Sequence, residues 1–327
     1  MKLLVIGDAQ RVEKYLPDLP IVQATERVVA PHGTSDDELL ALAGDADAIM
    51  ADAISSVSAR LIAGMPNLRL IHSEGVAYNA IDVAAASDHG IAVCNNAGIN
   101  ASAVAEQTIL LMLACLRDFV EGDAAVREGR QIQAKESLMV SGIRELGDCT
   151  VGFIGFGAIA QATAYRLANW GCDMLYNKRH RLSVEEESRL NVAFATQDEL
   201  VRSCDIVSIH VPVTPQTEGL VDEAFLGAMK PNAILINTAR GEVIDQEALA
   251  RALEEGRIAM SGLDVLSPEP VQLDNPLLNL SPDTSRRLVL SPHIGGVTEG
   301  MFFRAHRAIW ENIARLEKGE LLVNRVN

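Results

Sequence analysis

Three side chains that can bind anions or move protons lie in the second half of the chain. Each follows a short apolar run, namely residues 233–237 before Arg240, 259–263 before Glu269 and 288–290 before His293. The carboxyl ends of parallel strands share one edge of a sheet, and open α/β sheets bind their ligands at that edge. We therefore expect these three side chains to lie in one site.

Such a set of side chains fits the reduction of a 2-oxo acid. Hydride arriving at the carbonyl carbon leaves negative charge on oxygen, which protonated His293 can neutralise as a general acid. A carboxylate such as Glu269 would stabilise the protonated ring and hold its orientation. Arg240, always charged, can hold the substrate carboxylate or the carbonyl oxygen. In the oxidation direction, neutral His293 would take the hydroxyl proton.

A glycine-rich turn precedes these residues. Residues 150–160 read TVGFIGFGAIA, a strand that runs into a turn and then into a predicted helix over 158–170, capped by Gly171. Gly155 allows the tight turn, Gly157 lets the backbone approach a pyrophosphate, and Ala160 permits close packing of the helix on the strand. Within a βαβ unit this pattern favours dinucleotide binding over a purely structural turn. The expected cofactor-binding residues here are Gly155, Phe156, Gly157, Ala158 and Ile159.

The next strand should end where a dinucleotide site selects its cofactor. A site that prefers NAD places an Asp or Glu there, against the ribose hydroxyls. This chain instead reads Asn177-Lys178-Arg179-His180-Arg181. With no carboxylate and three fixed cations, the turn should bind a 2′-phosphate. We expect NADP(H) to be preferred through Asn177, Lys178 and Arg179, with NAD(H) as the alternative cofactor. The alternative without a ligand is a basic loop that is simply solvated.

The elements that position these residues alternate along the whole chain. Short β-branched runs followed by helical periods predict parallel strands with crossover helices. The expected strands are residues 3–6, 48–51, 70–73, 92–94, 151–154, 174–176, 206–210, 233–237, 259–263 and 288–290, and the expected helices of the first third are 35–43 and 58–63. A helix over about 101–119 is apolar almost all round, so it should be buried between domains or against a second subunit.

The last segment, 298–318, is a predicted helix that needs an apolar surface to cover. The first domain has too few helices to seal its own sheet, so we place this helix there. The resulting fold is α/β, with two Rossmann-like doubly wound parallel sheets. Residues 1–100 and 297–327 form a discontinuous, flavodoxin-like substrate-binding domain, and residues 101–296 form the dinucleotide-binding domain.

The composition narrows the classes of partner. The 327 residues carry 44 acidic and 28 basic side chains, a net charge of −16 that repels nucleic-acid phosphates and anionic membranes. Five cysteines without a C-x-x-C motif, at positions 94, 115, 149, 172 and 204, indicate buried thiols in a reducing compartment. The first apolar run meets Asp8 at once, which is unlike a signal peptide. We expect a cytoplasmic protein with no membrane, nucleic-acid or metal partner.

In order and spacing, the glycine turn and the segments NTARG, LDV…PEP and SPHIGG resemble those of the D-isomer-specific 2-hydroxyacid dehydrogenases. The resemblance implies that Arg240, Glu269 and His293 are catalytic and that His210 and Pro212 lie beside the adenosine. It places Thr238, Asp264 and Gly295 near the nicotinamide, and we add Thr217, Ala239 and His293 to the expected cofactor-binding residues. It also implies a homodimer, which would explain the apolar helix over 101–119.

The substrate loop departs from this family's pattern. The family commonly reads Ser-x-Gly-Val-Gly-Tyr-Asp-Asn-Ile-Asp, and this chain reads SEGVAYNAID over residues 73–82. By the resemblance, Gly75, Val76 and Ala77, with Arg240, would bind the substrate, although a positive φ would be costly for Ala77. Asn79 and Ala80 replace the Asp-Asn pair. Glu74, beside an anion site, is expected to point to solvent.

The leading hypothesis is an NADP(H)-preferring reductase of small 2-oxo acids, of the glyoxylate or hydroxypyruvate type. The chain ends at Asn327, without the C-terminal regulatory domain of many phosphoglycerate dehydrogenases, so D-3-phosphoglycerate is the less favoured substrate. A competing hypothesis is a nucleotide-sensing scaffold or corepressor of the same fold. The absence of a basic surface favours the enzyme.

Overall fold

A computed structural model describes all of residues 1–327, which divide into two compact units. One unit joins Met1–Asn100 to Val297–Asn327, and the other is Ala101–Gly296. The strands are β1 (Lys2–Ile6), β2 (Glu26–Ala30), β3 (Ala48–Ala51), β4 (Leu70–Ser73), β5 (Ala92–Cys94), β6 (Thr150–Ile154), β7 (Asp173–Asn177), β8 (Ala193–Phe194), β9 (Ile206–Ile209), β10 (Ile234–Asn237), β11 (Met260–Leu263) and β12 (Leu288–Leu290).

The helices alternate with these strands. They are α1 (Ala9–Lys14), α2 (Pro20–Gln23), α3 (Asp36–Ala43), α4 (Ala59–Ala63), α5 (Val83–Asp88), α6 (Ala101–Leu116), α7 (Phe119–Arg127), α8 (Gln131–Ser141), α9 (Ala158–Leu167), α10 (Val184–Leu190), α11 (Gln197–Ser203), α12 (Glu223–Ala228), α13 (Gln246–Glu254), α14 (Pro282–Ser285) and α15 (Glu299–Lys318). None of them is both long enough and apolar enough to cross a membrane.

The first unit is a five-stranded parallel sheet in the order β2-β1-β3-β4-β5, which is the flavodoxin-like order. Successive residues of a strand point to opposite faces, so each buried strand supplies two cores. Ile309, Trp310 and Ile313 of α15 pack with Leu3 and Val5 on one of those faces. The C-terminal helix therefore covers a sheet built from the N-terminal third of the chain.

The second unit is a seven-stranded parallel sheet in the order β12-β11-β10-β9-β6-β7-β8. Counted from β6, this is the Rossmann order 3-2-1-4-5-6 with one further strand. The strand order reverses beside β6, the strand that leads into the glycine turn. The predicted fold class, two doubly wound parallel sheets, is confirmed.

Helix α6 is shorter than the predicted 101–119. It ends at Leu116, and Asp118 adopts a left-handed conformation with φ 47° that separates α6 from α7. Its apolar residues Leu111, Met112 and Cys115 pack into the core that also holds Phe153 and Ala160 of the same unit. The apolar character of α6 is thus explained by its own sheet and needs no second subunit.

Other differences from the predicted elements lie at edges and ends. Strands β2 and β8 lacked a clear sequence signal because β2 contains exposed and partly exposed residues and β8 has only two residues. Helix α9 ends at Leu167 and not at 170, and Gly171, with φ 91°, lies in the turn that follows. All five cysteines are free and buried, as expected, and burial raises the pKa of the Cys115 thiol to about 12.

Candidate active site

His293 and Glu269 meet at the carboxyl edge of the second sheet. His293 Nδ1 lies 2.7 and 2.8 Å from the two carboxylate oxygens of Glu269. Both side chains are open to solvent, with 41% of His293 and 56% of Glu269 exposed. Nδ1 donates to the carboxylate, and Nε2 has no hydrogen-bond partner within the chain, so Nε2 is free to exchange a proton.

Asp264, directly after β11, holds the loop that carries His293. Its carboxylate accepts hydrogen bonds from Ser291 Oγ at 2.5 Å and from the Ile294 and Gly295 amides at 3.0 and 2.8 Å. Its carbonyl accepts the His293 N–H at 2.8 Å. Both Asp264 carboxylate oxygens are engaged within the chain, and the expected place of Asp264 near the nicotinamide stays a prediction.

Gln107 extends this network. Its side chain donates to Ser291 Oγ at 2.8 Å, which links α6 to the His293 loop. Sequence reasoning missed both Gln107 and Ser291 in this role. A β-carbon added to Gly295 would lie 2.8 Å from an Asp264 oxygen, so glycine suits this close approach. The loop geometry is therefore set by α6 and β11 together.

Arg240 lies at the same edge, after β10. Asn237 fixes the turn, because its side chain donates to the Arg240 carbonyl at 2.8 Å and accepts from the Ala239 amide at 2.9 Å. The guanidinium is exposed and donates only to the Ala239 carbonyl, at 2.6 Å. No carboxylate of the chain pairs with it, so its remaining N–H groups can bind an anion.

The Arg240 and Glu269 segments touch through their backbones. A β-carbon on Gly241 would lie 2.3 Å from the Leu266 carbonyl carbon. The Gln246 side chain forms two hydrogen bonds with the Ser267 backbone: it donates to the carbonyl at 2.6 Å and accepts from the amide at 3.2 Å. Because β10, β11 and β12 are neighbours, the structure brings Arg240, Glu269 and His293 to one edge.

The glycine turn has the shape that a phosphate needs. Gly155 has φ 83°, and a β-carbon there would lie 2.6 Å from the His210 carbonyl oxygen. Gly157 is the N-cap of α9, no side chain caps the first amides of the helix, and a β-carbon at Gly157 would meet nothing within 4 Å. The ten-residue α9 therefore presents uncapped amides and its positive end to open space, which fits a pyrophosphate.

The other residues of this turn divide between core and surface. Phe156 is buried, with its ring 4.6 Å from that of Tyr176, so only its backbone can face a ligand. Ala158 is exposed and Ile159 is partly exposed. Ala160 is fully buried, which is the packing role expected of it.

The basic turn after β7 contains fewer available cations than expected. Arg181 is paired with Glu187, at 2.8 and 2.9 Å, and lies over the Phe194 ring. This guanidinium and the Tyr176 hydroxyl hold the pKa of Glu187 at about 2. Lys178 and Arg179 form no ion pair within the chain. Two cations, not three, are therefore left for a ligand.

The remaining predicted cofactor residues support loops of the second unit. Asn177 donates to the Ala195 carbonyl at 2.9 Å, and buried Thr238 shares a 3.0 Å hydrogen bond with Thr108. Thr217 donates to the carbonyl of exposed Pro212 at 2.6 Å. His210 lies 2.8 Å from Ser208 Oγ, and burial lowers its pKa to about 3, which keeps the ring neutral. Ala239 is partly exposed.

The predicted substrate loop belongs to the first unit. Its carbonyls are held: Asn96 N donates to Gly75 O at 2.9 Å, Asn95 Nδ2 to Val76 O at 2.7 Å, and Ser73 Oγ to Ala77 O at 2.6 Å. The Val76 and Ala77 amides donate to no acceptor within the chain. Together they form a half-exposed pair of N–H donors.

Ala77 does not adopt a positive φ, so the cost that such a φ would carry does not arise. One expectation about this loop is wrong. Glu74 does not point to solvent: it is buried and bonded to Arg11 at 2.9 Å and to His306 at 2.8 Å. Residues far away in sequence supply these partners, and no local pattern signals them.

Known proteins resemble this chain in sequence. Residues 109–295 match the sequence model of the D-isomer specific 2-hydroxyacid dehydrogenase, NAD binding domain. A glyoxylate reductase from Thermofilum pendens is 37% identical over 294 residues, covering 89% of this chain and 85% of that protein. A D-3-phosphoglycerate dehydrogenase from Mycobacterium tuberculosis is 33% identical over 295 residues, covering 90% of this chain but 54% of that protein.

A crystal structure of the holo form of D-mandelate dehydrogenase from Rhodotorula graminis has a TM-score of 0.85 to this chain. The two are 27% identical, and the match covers 100% of this chain and 97% of that one. Fold, motif order and family match therefore agree, and the resemblance inferred from the sequence is confirmed. The chain belongs to the D-isomer-specific 2-hydroxyacid dehydrogenase family.

Proposed function

We propose that this protein reduces a small 2-oxo acid of the glyoxylate or hydroxypyruvate type to a D-2-hydroxy acid, with NADPH as the preferred cofactor. The observation that carries the proposal is the contact of His293 Nδ1 with both oxygens of Glu269, at 2.7 and 2.8 Å, within a 2-hydroxyacid dehydrogenase domain. An imidazole held by a carboxylate on one nitrogen and open on the other suits general acid–base catalysis.

The reaction needs one hydride and one proton. The reduced nicotinamide, when bound, supplies the hydride. His293 supplies the proton from Nε2 to the carbonyl oxygen, while Glu269 stabilises the positive ring through Nδ1. Arg240 holds the substrate carboxylate or the carbonyl oxygen with the N–H groups that the chain leaves unused.

The first unit contributes the substrate loop. The amides of Val76 and Ala77 receive the substrate carboxylate, since they have no acceptor within the chain. Gly75 packs closely against Ala53, because a β-carbon there would lie 2.9 Å from the Ala53 β-carbon. An alanine at position 77 does not prevent this role, since its φ is not positive.

Residues of the second unit support the choice of cofactor. Gly155, Gly157 and the start of α9 would bind the pyrophosphate, and Lys178 and Arg179 would bind a 2′-phosphate beside Asn177. No Asp or Glu stands at the end of β7 to repel that phosphate.

D-3-phosphoglycerate is the second candidate substrate, favoured by the 33% identical relative. Recognition of a phosphorylated substrate calls for cationic side chains. The loop over residues 73–80 contains no Lys or Arg. This favours an unphosphorylated 2-oxo acid.

The test is the oxidation of NADPH and of NADH with glyoxylate, hydroxypyruvate, pyruvate, 3-phosphohydroxypyruvate and bulkier 2-oxo acids. We expect the highest kcat/KM with NADPH and glyoxylate or hydroxypyruvate. Preference for 3-phosphohydroxypyruvate would select the second candidate. No turnover with any of these acids would favour a nucleotide-sensing scaffold or corepressor.

We also propose that the protein is a homodimer that uses α8. Helix α8 has no buried residue, and it exposes 73% of Met139 and 89% of Val140. Isolated helices of this length are only marginally stable in water, so an apolar partner should cover α8. Light scattering should give twice the 35.2 kDa chain mass, and Met139→Glu with Val140→Lys should give the monomer. A monomeric unmodified chain would contradict this proposal.

A further inference from the structure

A cluster of partly exposed Arg11 with buried Glu74 and His306 lies outside the roles assigned above. Glu74 Oε2 forms a salt bridge with Arg11 Nη2 at 2.9 Å, and Glu74 Oε1 accepts a hydrogen bond from His306 Nε2 at 2.8 Å. The Glu74 side chain is 6% exposed and that of His306 is fully buried. The cluster therefore ties α1 and α15 to the residue that begins the substrate loop.

The members of the cluster depend on one another. His306 Nδ1 has no hydrogen-bond partner, so Glu74 is the only polar partner of that ring. Phe302 lies 5.6 Å from the Arg11 guanidinium and stacks on Tyr15 at 5.1 Å, which shields the cluster from one side. Loss of one partner from a buried ion pair is strongly destabilising, because it leaves an uncompensated buried charge.

The backbone of Glu74 is held as firmly as its side chain. Its carbonyl accepts from Asn96 Nδ2 at 2.8 Å and its amide donates to the Ala51 carbonyl at 2.7 Å. Gly75, the next residue, is held by the Asn96 amide at 2.9 Å. The two unpartnered amides of Val76 and Ala77 follow directly. Their direction is thus determined by a residue fixed on both its side chain and its backbone.

We infer that Glu74 is a positioning residue for the substrate carboxylate. By binding α1 and α15 through its two carboxylate oxygens, Glu74 sets the direction of the Val76 and Ala77 N–H groups. It does not touch the substrate, because both of its oxygens are engaged within the cluster. This inference rests on the proposed function, in which those two amides receive the carboxylate.

The test compares Glu74→Gln with the unmodified chain by steady-state kinetics and by hydrogen exchange. We expect KM for glyoxylate or hydroxypyruvate to rise about tenfold, with kcat within about twofold and the NADPH Kd unchanged, because only the carboxylate donors are misplaced. Amide exchange in the peptide over residues 74–79 should become about tenfold faster, with the rest of the unit unchanged.

Two further variants make the result decisive. Glu74→Gln with Arg11→Met removes both charges of the Glu74–Arg11 pair and guards against failure to fold. Asp52, 3.6 Å from Arg11, keeps the Ile54 and Ser55 amides as hydrogen-bond donors. The KM of this double variant should stay raised. The matched control is Glu299→Gln, which breaks the exposed Lys14–Glu299 pair between the same two helices at 2.6 Å and should change neither KM nor exchange.

Several outcomes would overturn the inference. The first is an unchanged KM and exchange rate in folded Glu74→Gln, and the second is a KM restored to the unmodified value in the double variant. The others are faster exchange throughout the unit, and failure of both Glu74→Gln and the double variant to fold. If the unmodified chain reduces no 2-oxo acid, the proposed function fails separately. The exchange comparison would still decide whether Glu74 orders the loop.

Discussion

His293 combines a reactive ring with an unusual backbone. Its φ of 54° lies in the left-handed region, which few residues other than glycine adopt and which recurs at functional sites. The backbone N–H of His293 donates a hydrogen bond to the Asp264 carbonyl, and the ring contacts Glu269, so backbone and side chain both hold this conformation. The local geometry is therefore determined by its neighbours and not by the backbone preference of histidine.

Replacing His293 with Ala should lower kcat by about 10²- to 10⁴-fold, because the proton donor is lost. NADPH affinity, measured by fluorescence titration, should change little. His293→Asn is the control for the backbone, since asparagine tolerates a positive φ, and it should be equally inactive. Loss of cofactor affinity with retained turnover would refute the acid role.

Changing Asn177 to Asp should move the cofactor preference toward NADH, since a carboxylate at the end of β7 repels a 2′-phosphate and binds ribose hydroxyls. The measurement is the ratio of kcat/KM for NADPH and NADH. Lys178→Ala with Arg179→Ala should shift the same ratio. Arg181→Gln should not, because Arg181 is already paired with Glu187; an unchanged ratio in the first two variants would contradict the role of the turn.

Adjacent elements bring the candidate catalytic residues together. The ends of β10, β11 and β12 supply Arg240, Glu269 and His293 in turn, and the backbones after β10 and β11 touch at Gly241 and Leu266. A parallel sheet orients all three strand ends in the same direction, so only the loops decide which side chains meet. At Gly241 an added β-carbon would lie only 2.3 Å from the Leu266 carbonyl carbon, the shortest such distance at any glycine of the chain.

Gly241→Ala should separate the Arg240 and Glu269 segments, because its β-carbon would lie 2.3 Å from a backbone carbon. We expect the free energy of unfolding to fall by about 1–3 kcal/mol and kcat/KM to fall at least about tenfold. Urea titration and kinetics measure both. Gly227→Ala, in α12 with nothing within 4 Å, is the control and should be neutral or slightly stabilising. Equal behaviour of the two variants would argue against the contact.

At the scale of the whole molecule, each unit closes its own sheet and buries neutral histidines. In the first unit His72 donates from Nδ1 to the Ser73 carbonyl at 2.9 Å, and its Nε2 accepts from Asn312 of α15 at 3.1 Å. Burial lowers the pKa of His72 to about 4. The neutral ring thus links the central sheet to the C-terminal helix.

This burial makes stability depend on pH. Below about pH 6.5 His72 is protonated in the unfolded chain but remains neutral in the folded chain, where its pKa is about 4. The free energy of unfolding therefore falls as pH falls. From pH 6.5 to 5.5 the loss from His72 should be about 1 kcal/mol. Urea titrations at both pH values should show a smaller loss for His72→Gln by about that amount. An identical loss in the two proteins would exclude His72 as the source.

Much of the architecture follows from local patterns. Strands made mostly of buried residues read as apolar runs, and β3, β4, β5 and β12 have the predicted ends, whereas β2 is mostly exposed or partly exposed and β8 has only two residues. The turn at Gly155 is also readable, since a positive φ and a close backbone approach are local demands on residue type. The alternation of strand and helix then implies parallel sheets.

Charge pairing and surface coverage were decided only by tertiary structure. Glu74 can be buried because Arg11 and His306, from opposite ends of the chain, pair with it. Arg181 is paired with Glu187 and is therefore not free to bind a ligand. Helix α6 is covered by its own unit, while α8 is left exposed. The local sequence specifies backbone preference and hydrophobic period, but the free energy of a charge or an apolar face depends on neighbours that only the folded chain supplies.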